Sequence, residues 1–146
     1  MSDPELLAAY QQTVWSIHAP DGTVQLRPGL AAPEALRPSA IVTAYNPASK
    51  IQSTEANERA DHALLGRVRA LGLPHWRTLA HGTGGGDPSA WDEPGWCLPG
   101  DTLDHAVELG RDFGQNAIVW TDAAGAVAMV CTRDGFCGAR VGEVVG

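Results

Sequence analysis

Lysine is almost missing from this chain. Lys50 is the one lysine in 146 residues, and 17 acids against ten lysines and arginines leave a formal net charge of −7. Nucleic-acid binding needs clustered basic side chains to neutralise phosphates, and adhesion to an anionic bilayer needs the same. The arginines here are scattered, so neither nucleic acid nor membrane is an expected partner. Long apolar runs are also missing: none approaches the roughly 18 residues that a membrane-spanning helix requires. The opening "MSDPELLAAYQQ" has no basic-then-apolar layout, and the sequence reads as cytoplasmic.

Cysteine and histidine are sparse in the arrangements that matter. Cys97, Cys131 and Cys137 form no Cys-x-x-Cys pair, and in a cytosolic chain they read as free thiols. The five histidines show no His-x-x-x-His or His-Glu-x-x-His spacing, so no metal site is expected. Cofactor signatures fail too. "HGTGGGDP" (81–88) has Asp87 where the dinucleotide fingerprint needs glycine, lacks the lysine of a P-loop, and leads into no helix that could hold phosphate. Cys97 beside His81 could be imagined as a nucleophile pair, but a free cysteine is more often a small buried hydrophobe.

What is present describes a globular domain. With 44% apolar and 18% charged residues, positions 1–146 read as a single domain near the commonest domain size. A short helix is expected over 4–12. "TVWSIH" and "TVQL" flank Pro20-Asp21-Gly22 as a hairpin. "AIVTAY" (40–45) reads as a buried strand ended by Asn46-Pro47. A helix capped by Ser53 or Thr54 runs to about Leu71, where Gly72 and Pro74 stop it. Strands over 75–81 and 95–98 follow, separated by a Gly- and Pro-rich loop over 82–91. A helix capped at Asp101 or Thr102 ends at Gly114, and a final hairpin joins 117–120 to 126–131. Strand pairs without strict β-α-β alternation indicate an α+β fold, a mostly antiparallel sheet with two main helices on one face.

The chemistry concentrates in "TAYNPASKIQSTEANER" (43–59). Asn57 lies three residues before Ala60 and seven before Leu64, on the stripe of its helix that faces the core. A buried amide must find partners, since an unmet polar group costs about 1–3 kcal/mol. Glu55 and Arg59, four apart, have the spacing of a helix ion pair. Two other stretches share this polarity: "WDEPGW" (91–96), with two acids between aromatics, and "DFGQNA" (112–117), with amides at a helix-to-strand turn. If these ends converge, Asn46, Asn57, Arg59, Glu93 and Gln115 form a pocket for a small polar molecule. Glu93 is then the one candidate general acid or base, and Arg59 an anion clamp. Amides at strand ends also fix turns with no further role.

The run "TAYNPAS", "EANER", "WDEPGW" and "FGQNA" resembles a family of short bacterial proteins classed as a domain of unknown function. The resemblance covers about Val14 to Val130. It rests on Asn46-Pro47, Ser49, Asn57, Arg59, Glu93, Phe113, Gly114 and Gln115, and it brings no activity or ligand. The family pattern often has serine after Glu-Pro, where this chain has Gly95. A competing expectation is a noncatalytic module whose acidic 87–112 stretch, with seven acids and Arg111 as its one arginine, meets a basic protein partner.

Overall fold

The computed structural model describes residues 2–82 and 92–146. Asp87, Trp91 and most of the expected 82–91 loop therefore lie outside the described residues.

Among the described residues eight strands form one sheet: β1 (Thr13–Ala19), β2 (Gly22–Leu26), β3 (Ser39–Val42), β4 (Trp76–Gly82), β5 (Glu93–Pro99), β6 (Ala117–Thr121), β7 (Val127–Cys131) and β8 (Val144–Val145). Their order is β2-β1-β4-β5-β3-β6-β7-β8, and every neighbouring pair is antiparallel. Among the described residues three α-helices join the sheet: α1 (Asp3–Gln11), α2 (Thr54–Ala70) and α3 (Leu103–Asp112). The architecture is α+β, as the element pattern predicts. Among the described residues, no helix is long and apolar enough to cross a membrane.

Side chains alternate across a strand, so each strand feeds two cores. On β3, Ala40 and Val42 join Leu64 and Val68 of α2, Leu98 of β5, and Ala106 and Leu109 of α3 in one cluster. Ile41 between them faces the other way, into a cluster with Leu6 of α1, Trp15, Ala80, Val119, Met129 and Phe136. The two main helices thus share one face. The opposite face is covered by α1 and by the segments that join the strands.

Local chemistry sets the element ends. Ser2 and Glu5 form a reciprocal capping box at α1. Ser53 caps α2 by accepting from Ala56 N. Thr102 stands at the start of α3, but its hydroxyl donates to Leu98 O at 2.7 Å and leaves the helix uncapped by a side chain. The tail, which carries no clear pattern, forms a short 3-10 turn and the two-residue edge strand β8. All three cysteines are free thiols. Cys97 is fully buried and its thiol is pushed up to about 12, which leaves it protonated and unreactive at neutral pH.

Candidate functional site

β3 stops at Val42, three residues before the expected strand end, because the next groups bond elsewhere. Thr43 Oγ1 donates to Pro94 O at 2.8 Å and accepts from Tyr45 N at 3.1 Å. The chain then enters a tight turn in which Asn46, Ala48 and Ser49 all have positive φ, at 45°, 55° and 60°. For residues with a Cβ each such conformation costs about 1–3 kcal/mol and persists only where surrounding contacts impose it.

Those contacts come from the three polar stretches. Asn57 is buried on the inner face of α2, and its Oδ1 accepts from Asn46 N (2.9 Å) and Gln52 Nε2 (2.7 Å). A backbone N–H can only donate, so this fixes which end of the amide is oxygen. Asn57 Nδ2 therefore donates to Asn46 Oδ1 (2.9 Å), which also accepts from Gln52 N (3.1 Å). Asn46 Nδ2 is left facing Glu93 and donates to its Oε1 at 3.0 Å. One backbone N–H thereby orients two amides and a carboxylate in sequence. From the far side, Gln115 Nε2 donates to Tyr45 O (3.1 Å), and Gly114 O accepts from Ala48 N (2.8 Å). Gly114 has φ +71°, and a Cβ there would stand 3.1 Å from the Pro47 ring, so glycine suits both the turn and the contact.

Beside this turn lies a cavity of about 230 Å³ on the face away from α2 and α3. Its walls include Trp15, Ile41, Ala80, Val119 and Met129, with Tyr10, Thr43, Ser49, Glu93 and Gln115 supplying polar atoms. Ladder register explains the convergence: Trp15 pairs with Ala80, Ala80 with Glu93, Ile41 with Val119, and Val119 with Met129. Residues directly opposite in a ladder share a face. At the floor, Gly95 opposes Thr78, and a Cβ at Gly95 would meet Val42 O at 2.9 Å and Thr78 Oγ1 at 3.0 Å. Thr78 Oγ1 is buried and has no hydrogen-bond partner among the described residues.

Glu93 is the carboxyl of this cavity. Burial raises its pKa above the ordinary glutamate value, and the Asn46 amide partly offsets that. Among the described residues the lining contains no arginine, lysine or histidine to balance it. A second polar group lines the cavity at Tyr10 and Ser49. Tyr10 Oη and Ser49 Oγ are 2.6 Å apart, and Asn116 Nδ2 donates to both, at 3.2 and 3.1 Å. Arg133 Nε donates to Asn116 Oδ1 at 2.7 Å, and Arg133 Nη2 reaches Asp3 Oδ1 on α1 at 3.1 Å.

Of the five residues singled out in the sequence, the structure brings together Asn46, Asn57, Glu93 and Gln115. Arg59 is not brought to them. Two residues past Asn57 on a helix is about 200° around the axis, so the geometry that turns Asn57 inward turns Arg59 outward. Arg59 is exposed beside Glu55, Glu58 and His62 on the outer surface of α2. The expected Glu55 pair is not formed, and Arg59 makes no ion pair among the described residues. The buried stripe instead runs Asn57, Asp61, Leu64, Val68. Asp61 takes a bidentate pair from Arg77 (2.9 and 2.8 Å), whose guanidinium lies 4.2 Å over Trp96. That pair belongs to the helix-covered face.

Tyr10, Thr78 and Arg133 reach the cavity region through strand register and through α1, and no local motif in the sequence marks them. Asn116 belongs to the "DFGQNA" stretch, whose amides the sequence does mark. A parity argument over β4 and β5 could have found Thr78 only with the pairing already known.

No curated protein and no solved structure matches this chain. A family model, described as protein of unknown function (DUF3293), matches residues 42–118. That interval is more than half of the chain and runs from the last residue of β3 into β6. It contains Asn46, Asn57, Glu93 and Gln115, while Tyr10 and Arg133 lie outside it. The turn network that orients Glu93 is therefore built within the matched segment, and the chain belongs to the DUF3293 family.

Proposed function

We propose that the cavity binds a small polar molecule with an apolar body, whose head is a hydrogen-bond donor, most simply a protonated amine, directed at Glu93. The observation that carries this reading is a cavity carboxyl with one amide partner and no cation in the described lining. A buried charge without a counter-charge is costly, and a cationic occupant supplies that counter-charge. The apolar walls suit a hydrocarbon body, and a volume somewhat below the usual 300–1,000 Å³ of drug-sized pockets suits a small one. The strained 46–49 turn has a purpose in this reading: it aims Asn46 so that Oε1 of Glu93 is held and the carboxyl keeps one orientation.

The acidic docking face has less support. Glu93 lines the cavity, Asp92 bonds His81 at 2.6 Å, and Asp112 pairs with Arg67 at 3.1 Å. These three acids of the stretch thus stand in three separate environments, while Asp101, Asp104 and Glu108 remain exposed.

A thermal-shift comparison tests the proposal with two probes that share a phenethyl body and differ in the charge of the head, phenethylamine and 3-phenylpropionate. Phenethylamine should raise the melting temperature of the wild type and leave Glu93→Gln unchanged, and 3-phenylpropionate should raise neither. Equal response to both probes, or an undiminished amine response in Glu93→Gln, would contradict it.

A further inference from the structure

We propose that the Tyr10–Ser49 edge of the cavity is an acceptor-recognition subsite, which gives one hydroxyl proton to a carbonyl-type oxygen of the occupant. The inference rests on the reading of the cavity as a small-molecule site and deepens it. It names the ligand class as primary amines carrying a carbonyl oxygen a few bonds away, such as α-amino amides.

Arg133 Nε can only donate, so the Asn116 atom it meets at 2.7 Å is the amide oxygen, and the amide nitrogen faces Tyr10 and Ser49. That nitrogen has two hydrogens, and both hydroxyl oxygens lie within reach of it, at 3.2 and 3.1 Å. Each hydroxyl oxygen therefore already accepts from Asn116. The hydroxyls carry one proton each, and their mutual contact at 2.6 Å uses one of the two. If Tyr10 donates to Ser49, the serine proton is left over. If Ser49 donates to Tyr10, the phenol proton is left over. In either case one proton has no acceptor among the described residues.

Both side chains line the cavity, so the remaining proton is available to an occupant. Burial raises the Tyr10 pKa, which keeps the phenol protonated at neutral pH. Glu93 offers an acceptor in the same cavity, and this edge offers a donor. An occupant that satisfies both carries a donor and an acceptor on one apolar frame. The strain at Ser49, with φ 60°, holds its hydroxyl against Tyr10.

The count makes an unusual forecast for variants. In Tyr10→Phe, Ser49 still accepts from Asn116 and its own proton becomes the spare one. In Ser49→Ala, Tyr10 does the same. Each single variant therefore retains a donor. Asn116→Asp removes it without deleting either hydroxyl, because a carboxylate oxygen then stands where the amide nitrogen donated and accepts the spare hydroxyl proton. Both hydroxyl protons are then consumed inside the cluster.

Calorimetric titration with two probe pairs tests this: isoamylamine against leucinamide, and phenethylamine against phenylalaninamide. At about pH 6.5 all four amines are protonated, being below the α-amino range of about 7.7–8.0. The wild type should bind each amide roughly five- to tenfold tighter than its amine, the span that one neutral hydrogen bond supports. Tyr10→Phe and Ser49→Ala should each keep most of that ratio, and Asn116→Asp should bring it to about one. If Asn116→Asp does not fold, the double variant Tyr10→Phe/Ser49→Ala serves, with the same expectation. A wild type that binds amine and amide equally, or an Asn116→Asp variant with the ratio intact, overturns the subsite and leaves the amine site standing. Loss of the ratio in both single variants also overturns it, because a packing role predicts that result. A wild type that binds none of the four probes overturns the amine site and the subsite together.

Discussion

The two faces of the sheet are built from alternate residues of the same strands and come out differently. Against α2 and α3, Ala40, Val42, Leu64, Val68, Leu98 and Leu109 close into a core in which each is at most 1% exposed. On the other face, Ile41 and Met129 are 5% and 8% exposed and border a hollow of about 230 Å³. The helices press Leu64 and Val68 of α2 and Ala106 and Leu109 of α3 onto the sheet. The short α1 and the 46–51 segment instead meet the sheet with hydroxyls, amides and a strained turn. The lesson is that covering a sheet with polar connections leaves space, and here that space contains a carboxyl, Glu93, held by a chain of amides.

The largest expected effect lies on the filled face. Leu64→Ala should cost about 2–5 kcal/mol, as removal of a fully buried leucine does, and leave probe affinity unchanged. Ile41→Ala should fall at the low end of that range, since one side of Ile41 already lacks packing partners, and it should alter affinity. Chemical denaturation with parallel titrations measures both. Equal stability losses together with equal affinity changes would erase the distinction between the faces.

Next comes the turn. Asn57→Ala leaves the half-buried Asn46 N and Gln52 Nε2 without their acceptor, and an unmet group costs up to about 1–3 kcal/mol where water cannot reach it. The loss should also abolish amine binding, because Asn46 is no longer held with its nitrogen toward Glu93. A stable Asn57→Ala protein that binds the amine normally would show that the amide chain does not orient the carboxyl.

Glu93 itself should oppose stability. Its folded pKa is raised by burial, so the native state binds the proton more tightly than the unfolded chain does. Any stabilisation is fully present below the unfolded pKa and is lost as pH rises through the folded one. Glu93→Gln should therefore raise the melting temperature more at pH 7 than at acid pH, while losing the amine. For the wild type, amine affinity should grow as pH rises through the Glu93 pKa. A variant less stable than the wild type at neutral pH would place the carboxylate in a net stabilising role.

The smallest effect belongs to Arg59→Ala, which should change stability by no more than about 0.5 kcal/mol and leave amine binding intact. An exposed helix arginine without a described partner has little to lose.

That last case marks where the sequence could and could not be read. The helical stripe correctly turned Asn57 inward, and the same projection turns Arg59 outward. Nearness along the chain was the misleading cue for Arg59. The hairpin over 13–26, the second helix from its Ser53 cap, and the α+β class follow from patterns of two and 3.6 residues that are local. The cavity is not local. It depends on β1, β4, β5, β3, β6 and β7 lying side by side in a register that places Trp15, Ala80, Glu93, Ile41, Val119 and Met129 on one face. Short strands of similar composition do not specify that order by themselves. The amide motifs were visible as oddly polar ends of elements, while Tyr10, Thr78 and Arg133 were ordinary residues until the fold assembled them.

The contrast between the faces is tested most directly by methyl and indole NMR during titration of the wild type with phenethylamine. The account predicts that the Ile41, Val119 and Met129 methyl signals and the Trp15 indole N–H signal shift in a saturable way, while Leu64, Val68 and Leu109 stay in place. Saturable shifts confined to Leu64, Val68 and Leu109, or no saturable shift at any of these positions, would contradict it.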